Sequence, residues 1–254
     1  MKKTLAFLLF LGMVFGFQDS DLDGVDDSVD RCPNTPFFAI VDRYGCPIKE
    51  LIPERKIKFY LRLGFSHSKD KNFEANNTNI SLAFSLKQWY ASLTSRYYTY
   101  INGIGSGLGR TSVYVSYRKS FKKIFLYPGI RVILPTASDN ISSDYTDIVP
   151  SLYADYFFGN SDIFFYIERN FKGNPSLKDT WSFSAGYGYS FENLYSSFSL
   201  DFVESSLKNT YGTYANIFLI YDITEHLYLT LNFSKGMGGN AVDRSISIKV
   251  GIKF

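Results

Sequence analysis

From residue 55 to the end of the chain, apolar and polar residues alternate with a period of two. The stretch RKIKFYLRLGFSH (55–67) has an apolar residue at every second position, as do TNISLAFSLK (78–87) and RSISIKVGIKF (244–254). Successive side chains of a strand point to opposite faces of a sheet, so each stretch predicts a strand with one apolar and one polar face. A soluble β-sandwich would show the same alternation, so this pattern alone predicts only an all-β fold.

The connections between the predicted strands favour a barrel. The long connections SKDKNFEANN (68–77), INGIGSGLG (101–109), TASDNISSDYTD, KGNPSLKD and SKGMGGNAVD alternate with short ones such as KQ, GNS, EN and TEH. Transmembrane barrels have an even number of strands of about ten residues, short periplasmic turns and longer outer loops. We therefore predict a transmembrane antiparallel up-and-down β-barrel of about 12 strands over residues 55–254, with both chain ends in the periplasm. The predicted strands lie near residues 55–67, 78–87, 89–100, 110–120, 124–135, 148–158, 162–172, 180–191, 194–205, 213–223, 227–234 and 244–254.

Aromatic residues are unusually frequent, at 18% of the chain, whereas charged residues are 20%. Several aromatics fall near strand ends on the predicted lipid-facing side, where a membrane barrel carries its aromatic girdles. These are Trp89, Tyr97, Trp181, Tyr189, Tyr221 and Phe254. A terminal aromatic such as Phe254 resembles the signal read by the outer-membrane assembly machinery. We therefore predict that Phe254 is the insertion signal, and that this machinery and outer-membrane lipid are partners.

The first 16 residues, MKKTLAFLLFLGMVFG, have the features of a secretory signal peptide. Two lysines precede a short apolar run that ends in small residues, which predicts cleavage after Gly16. A membrane anchor is the alternative, but the apolar run is too short to span a bilayer. Export together with a barrel predicts the outer membrane of a Gram-negative bacterium.

An acidic module of residues 17–54 precedes the barrel. It holds nine acidic and three basic residues, about −6 in net charge, whereas residues 55–254 hold fifteen and twenty-two, about +7. Within it, six aspartates in residues 19–30 follow the spacing of a calcium loop. The predicted calcium ligands are Asp19, Asp21, Asp23, the backbone carbonyl of Val25, Asp27 and Asp30. Oxygen ligands favour calcium over zinc, and a disordered acidic linker is the alternative.

Residues 19–47, DSDLDGVDDSVDRCPNTPFFAIVDRYGCP, resemble the thrombospondin type 3 repeat in the linker form of OmpA-type outer-membrane proteins. The barrel segment resembles no particular named family. The resemblance implies calcium binding and, in some contexts, cell adhesion, although a single repeat is a poor adhesive surface. The only two cysteines, Cys32 and Cys46, predict a disulfide in an exported chain, with two free thiols as the alternative. That disulfide would contribute roughly 3 kcal/mol in the chain-entropy model.

The polar face of the barrel predicts a lumen whose charges are separated. Basic residues on one side are Arg62, Arg96, Arg131 and Lys249, and acidic residues on the other are Asp155, Glu168 and Asp201. Such a transverse field orients dipolar solutes and biases which ions pass. Twelve strands give a backbone radius of roughly 12 Å. We therefore predict a narrow porin for small polar or anionic solutes.

Two alternatives to the porin remain. The lumen charges could pair across a plugged barrel, which would then anchor a structural or adhesion-type envelope protein whose calcium module contacts a periplasmic partner. An outer-membrane lipid hydrolase would need a nucleophile beside a histidine. His67 stands between Ser66 and Ser68, whose side chains point to the opposite face, and His226 falls in a predicted turn. We therefore predict no catalytic residues and no enzymatic activity, and nothing in the sequence favours nucleic-acid binding.

Overall fold

The computed structural model describes residues 19, 21, 25–33, 35, 41–46, 57–71, 73–141, 144–207, 210–239 and 241–254. The chain divides into two compact units, Met1–Lys56 and Ile57–Phe254. The predicted signal peptide and Asp23 of the predicted calcium loop lie outside the described residues. Within the described ranges, no helix has the length and apolar character needed to cross a membrane.

The second unit is built from β-strands that match the predicted ones closely. The first seven are β1 (Lys58–Lys69), β2 (Glu74–Leu86), β3 (Trp89–Ile101), β4 (Gly105–Leu108), β5 (Thr111–Tyr117), β6 (Lys119–Phe121) and β7 (Ile124–Leu134). The other seven are β8 (Asp147–Phe158), β9 (Ser161–Asn170), β10 (Thr180–Ser190), β11 (Leu194–Glu204), β12 (Tyr211–Asp222), β13 (Leu227–Gly238) and β14 (Arg244–Lys253).

These strands form one closed antiparallel barrel. Strands β4, β5 and β6 are parts of a single barrel strand, because β4 and β5 pair with β3 while β5 and β6 pair with β7. The first strand β1 pairs with the last, β14, over Tyr60–Lys69, and this pairing closes the sheet. The barrel therefore has twelve strands, and the predicted fold is confirmed. Closure leaves no open sheet edge, as a structure in lipid requires.

The two ends of the barrel differ. At the end that holds Ile57 and Phe254, which we call the short-turn end, the connections are 87–88, 122–123, 159–160, 191–193 and 223–226. Lys87, Lys122 and Gly159 have φ of 53°, 54° and 60°, the left-handed conformation that tight hairpin turns require. At the opposite end, the loop end, the connections 135–146 and 171–179 are the longest.

The prediction of long loops at 68–77 and 101–109 was wrong. Strands β1 and β2 continue into the first stretch, and β3 and β4 into the second, so that only 70–73 and 102–104 connect them. Apolar and polar residues no longer alternate regularly in these stretches. The strands nevertheless continue, because backbone hydrogen bonds extend a hairpin whether or not one of its faces is apolar. The loop end is therefore built partly from hairpins whose strands extend beyond the predicted strand ends, which we call the tall hairpins.

The apolar residues lie on the outside of the barrel. On β1, Phe59 and Leu63 are 54% and 55% exposed, whereas Arg62 between them is half-buried. Among the described residues, the buried apolar side chains are few, namely Ala75, Ala83, Ile101, Val149 and Tyr228. An inverted pattern of this kind is stable in hydrocarbon and would expose a large apolar surface in water. The members of the predicted aromatic girdle that are most exposed are Trp89 (53%), Tyr97 (44%), Tyr221 (43%) and Phe254 (70%).

The N-terminal unit contains the predicted disulfide. Cys32 and Cys46 are joined, with Cα atoms 5.0 Å apart. Buried Thr35 packs inside the closed loop, where its hydroxyl donates to the carbonyl oxygens of Cys32 and Gly45, each 2.8 Å away. The backbone N–H of Arg31 also bonds to the carbonyl of Tyr44 (2.9 Å). The disulfide and these bonds hold the two halves of the module together.

Candidate functional site

The lumen is the candidate site, and one side of it carries three basic residues. We call Arg62, Arg96 and Lys249 the basic cluster. Lys249 of β14 pairs with Gly64, Gly64 with Asn79, and Asn79 with Arg96 of β3, so Lys249 and Arg96 belong to one row of paired residues across four strands. Arg62 lies two residues nearer the short-turn end on β1. The strands β14, β1, β2 and β3 therefore bring the predicted basic residues together, with the exception of Arg131.

The basic cluster is held by neutral hydroxyl groups. Arg62 donates from Nε to Tyr228 Oη (2.7 Å) and from Nη1 to Tyr90 Oη (3.2 Å). Arg96 donates to Tyr98 Oη at 3.2 Å. Within the described part of the chain, no carboxylate forms an ion pair with any member of the cluster. The cluster therefore leaves net positive charge in the lumen.

Arg131 does not act with the basic cluster. Its Nη2 lies 3.0 Å from Glu168 Oε2 and 3.2 Å from Tyr166 Oη, and the Tyr166 hydroxyl also donates to Glu168. We predicted that Arg131 and Glu168 would face each other across the lumen, but they form a direct ion pair between β7 and β9. Their charges largely cancel, so this pair adds little to a transverse field.

The opposite side of the lumen carries carboxylates. We call Asp155, Asp162 and Asp201 the acidic cluster. Asp201 accepts hydrogen bonds from Ser184 (2.6 Å), Ser199 (3.1 Å) and Asn216. Its charge is therefore compensated by neutral donors.

The other two acidic residues are deeply buried. Asp155 and Asp162 are only 7% and 1% exposed, and the Oδ1 atom of each has no hydrogen-bond partner. The Tyr195 hydroxyl donates to Asp162 Oδ2 at 3.1 Å. Sequence reasoning missed Asp162, although it lies on the lumen register immediately after a short turn and the period-two pattern could have identified it.

A second group that sequence reasoning missed lies at the loop end. Asp147, which is 2% exposed, pairs with Arg110 (2.9 Å) and Lys172 (3.3 Å) and accepts a hydrogen bond from the N–H of Gly173 (3.1 Å). A buried carboxylate that is fully paired holds its neighbours in one arrangement. This network ties the connection 171–179 to the barrel, and Arg110 also donates to the backbone carbonyl of Tyr145.

The lumen also contains a cavity with many tyrosines. Its volume is about 620 Å³, within the range of small-molecule sites. The lining residues are Tyr90, Tyr114, Tyr127, Tyr153, Tyr166, Arg131, Ser92, Thr94, Ser112 and Ser116. Aromatic faces and hydroxyl groups therefore meet any solute in this part of the lumen.

The two histidines lie away from any nucleophile arrangement. His67 Nδ1 is 2.7 Å from Asn76 Oδ1, whereas the hydroxyls of Ser66 and Ser68 each bond to a serine of β14 on the lumen side at 3.0 Å. His226 lies in a short turn, with Nδ1 3.1 Å from the carbonyl oxygen of Lys253. A catalytic base needs its nucleophile within hydrogen-bond reach, and neither serine beside His67 meets that condition.

The acidic loop of the N-terminal unit has features that fit a cation. Asp21 Oδ1 is buried without a hydrogen-bond partner, while Asp21 Oδ2 accepts from the Thr35 N–H at 2.6 Å. Asp30 Oδ1 accepts from the Cys32 N–H at 2.8 Å. Backbone bonds of this kind orient a ligating carboxylate and leave its second oxygen for a metal. Among the described residues, which exclude Asp23, no three acidic, histidine or cysteine side chains are grouped closely enough to hold a metal.

Comparison with known proteins supports the barrel. No protein-family model matches the chain. Over 79 residues, 30% of this chain, the sequence is 39% identical to outer membrane porin F from Pseudomonas aeruginosa. The chain spans about a fifth (21%) of the length of that curated relative. An outer membrane channel from Pseudomonas putida F1 superposes with a TM-score of 0.65 and 9% identity, over 80% of this chain and 97% of that one. The chain therefore shares the fold of that outer-membrane channel.

Proposed function

We propose that the chain is a narrow porin of the Gram-negative outer membrane that passes small polar or anionic solutes. The observation that carries this proposal is the basic cluster, whose charges have no acidic partner among the described residues of the closed barrel. Charged groups at membrane depth persist where water reaches them, so the cluster indicates a wet lumen. The porin and channel names of the two similar proteins support the same class.

The difference between the two barrel ends supports one orientation of the barrel in the outer membrane. Short turns are typical of the periplasmic side, so the short-turn end, with both Ile57 and Phe254, would face the periplasm. Phe254 lies on the outer face, and its backbone pairs with Phe59 through bonds of 3.0 and 3.2 Å. That position supports its proposed role as the signal for the outer-membrane assembly machinery.

A conductance measurement tests the porin. Purified protein in planar lipid bilayers should give discrete current steps in potassium chloride. In a salt gradient the zero-current potential should have the sign of chloride selectivity, because the uncompensated lumen charge is positive. Heat-denatured protein is the control. Absence of current steps from correctly folded protein would reject the porin and favour the structural alternative, a plugged barrel that anchors an envelope protein.

We further propose that the N-terminal unit is a thrombospondin type 3-like calcium module, with Asp19, Asp21, Asp23, Asp27, Asp30 and the carbonyl of Val25 as ligands. The orphaned Oδ1 of Asp21 supports this proposal. Titration calorimetry of the purified protein with calcium should show binding that Asp21→Asn weakens about tenfold or more. Asp26→Asn is the matched control, because Asp26 is outside the ligand pattern and accepts hydrogen bonds from Ser28. Equal affinity in both variants would contradict the assignment.

A further inference from the structure

The three residues of the basic cluster lie on one part of the lumen wall, formed by β14, β1, β2 and β3. A Cβ added to Gly64 would lie 2.6 Å from Lys249 Cγ, so the Lys249 side chain leans over β1 in the space that this glycine leaves. The positive charges of Arg62 and Arg96 are both close enough to act on the Lys249 ammonium group. Three like charges held together repel one another, and an anion among them would relieve that repulsion.

A second lysine of the same strand shows what the cluster lacks. Lys253 also faces the lumen from β14, four residues from Lys249, and it pairs with Asp222 at 2.9 Å. Lys249 has no such carboxylate partner in the described part of the chain. Lys253 is thus neutralised by a carboxylate, whereas Lys249 lies beside two further cations, which makes Lys249 and its neighbours a candidate binding site for an external anion.

The tyrosine-lined cavity adjoins this candidate anion site. Tyr90 belongs to the cavity wall and accepts the hydrogen bond from Arg62 Nη1. Tyr114 lies across Gly129, where the absence of a side chain lets the ring approach the strand closely. Aromatic faces favour planar rings in offset or edge-to-face geometry. A molecule that reaches from the basic cluster into this cavity would place an anionic group at one end and a ring at the other.

We propose that the lumen binds small ring-bearing organic anions, with the carboxylate or phosphate group on Arg62, Arg96 and Lys249 and the ring against Tyr90 and Tyr114. This proposal rests on the porin function and specifies its solute class. A charge-assisted hydrogen bond to the anion and burial of the ring each contribute about a factor of ten in affinity.

Current block in planar bilayers tests the solute class. The probes are benzoate, phenyl phosphate, acetate, which lacks the ring, and benzyl alcohol, which lacks the charge. Benzoate or phenyl phosphate should halve the chloride current at a concentration about tenfold lower than acetate, and benzyl alcohol should have little effect. Comparison of the first two distinguishes a carboxylate site from a phosphate site. Equal potency of all four probes would overturn the proposal.

Matched variants locate the site. Lys249→Gln should raise the half-blocking concentration of benzoate about tenfold, whereas Lys253→Gln, on the same strand and face, should leave it within about twofold. Tyr114→Ala should remove the preference for benzoate over acetate and retain block by either. Heat-modifiable migration in gel electrophoresis checks that each variant forms the barrel. Equal effects of the two lysine substitutions would contradict the assignment.

Failure of the site and failure of the porin give different results. If every variant lacks conductance, the porin function fails, and calorimetry of benzoate with detergent-solubilised protein then decides whether the site exists. If conductance is present but benzoate binds no better than acetate by block and by calorimetry, the site alone is rejected.

Discussion

The basic and acidic clusters use the same backbone device on opposite sides of the lumen. On each side a glycine lies directly opposite a charged residue of the neighbouring strand, Gly64 opposite Lys249 and Gly188 opposite Asp162. The absent side chain makes room for the charged one, since a Cβ on Gly188 would contact Asp162 Oδ1 just as one on Gly64 would contact Lys249. Both charged residues therefore have the same backbone arrangement, a glycine as the paired residue. The difference in what a solute contacts comes from the side chains.

The side chains differ in length and in burial. Asp155 and Asp162 have one methylene each and lie buried against the wall, whereas Arg62 and Lys249 of the basic cluster are half-buried and Arg96 is exposed. Long lysine and arginine stems carry their charge away from the backbone. A solute in the lumen therefore meets exposed positive charge on one side and shielded negative charge on the other. The numbers of acids and bases in a lumen therefore do not by themselves predict its selectivity.

Charge reversal in the basic cluster should have the largest effect. Arg62→Glu combined with Arg96→Glu should turn anion preference into cation preference, with a change of about thirtyfold in the permeability ratio, because each reversed charge shifts ion energies by roughly 1 kcal/mol or more. Zero-current potentials in a salt gradient measure it. Arg169→Glu is the control, because its guanidinium lies over the Trp181 ring on the outer face, 5.2 Å from the centroid. An unchanged sign of selectivity in the double variant would show that the basic cluster does not determine which ions pass.

Two substitutions in the acidic cluster should have opposite effects on stability. Asp201→Asn should lower the free energy of unfolding by about 1–3 kcal/mol, because three hydrogen bonds lose their charged acceptor. Asp162→Asn should raise it by about 1 kcal/mol, because it removes a buried charge that has one unpartnered oxygen. Urea unfolding in lipid vesicles measures both. Shifts of the same sign would show that the two carboxylates are equally well compensated.

Most of the barrel could be predicted from the sequence, for a physical reason. Lipid outside and water inside impose strict alternation on each strand, and short turns such as 87–88 and 159–160 mark where strands end. Towards the loop end the apolar–polar alternation is lost and no longer informative, yet Asn76 and Asn77 of β2 remain in a strand because the backbone ladder to β1 continues through them. The tall hairpins of the loop end were missed for this reason.

The contacts inside the lumen could be predicted only in part. Alternation indicates which residues face the lumen, but the register between strands decides which of them meet. Arg131 and Glu168 belong to strands separated by β8. Their ion pair depends on the register of β7 with β8 and on that of β8 with β9, and neither can be derived from a single sequence. Asp162 was missed because it begins a strand, where boundaries are least certain.

Release of Arg131 from its partner should increase anion preference moderately. Glu168→Gln removes the negative charge that lies 3.0 Å from Arg131 and should leave that guanidinium with neutral partners only, as in the basic cluster. The expected change is about threefold in the permeability ratio, since one partly compensated charge is gained. Glu204→Gln is the control, because Glu204 pairs with Lys178 at the loop end of β11. No difference between the two variants would mean that Arg131 is shielded from solutes by something other than Glu168.

The smallest effect should come from the glycine of the basic cluster. Gly64→Ala would place a Cβ 2.6 Å from Lys249 Cγ and 2.9 Å from Asn79 Oδ1. Both side chains can move aside, so the expected loss of stability is under about 1 kcal/mol, while displacement of Lys249 should weaken benzoate block about twofold to threefold. Gly238→Ala is the control, because a Cβ there would meet no atom within 4 Å. A large loss of stability in Gly64→Ala would show that Lys249 is fixed rigidly against β1. The positive charge would then be a structural part of the wall, and it could not reorganise around an anion.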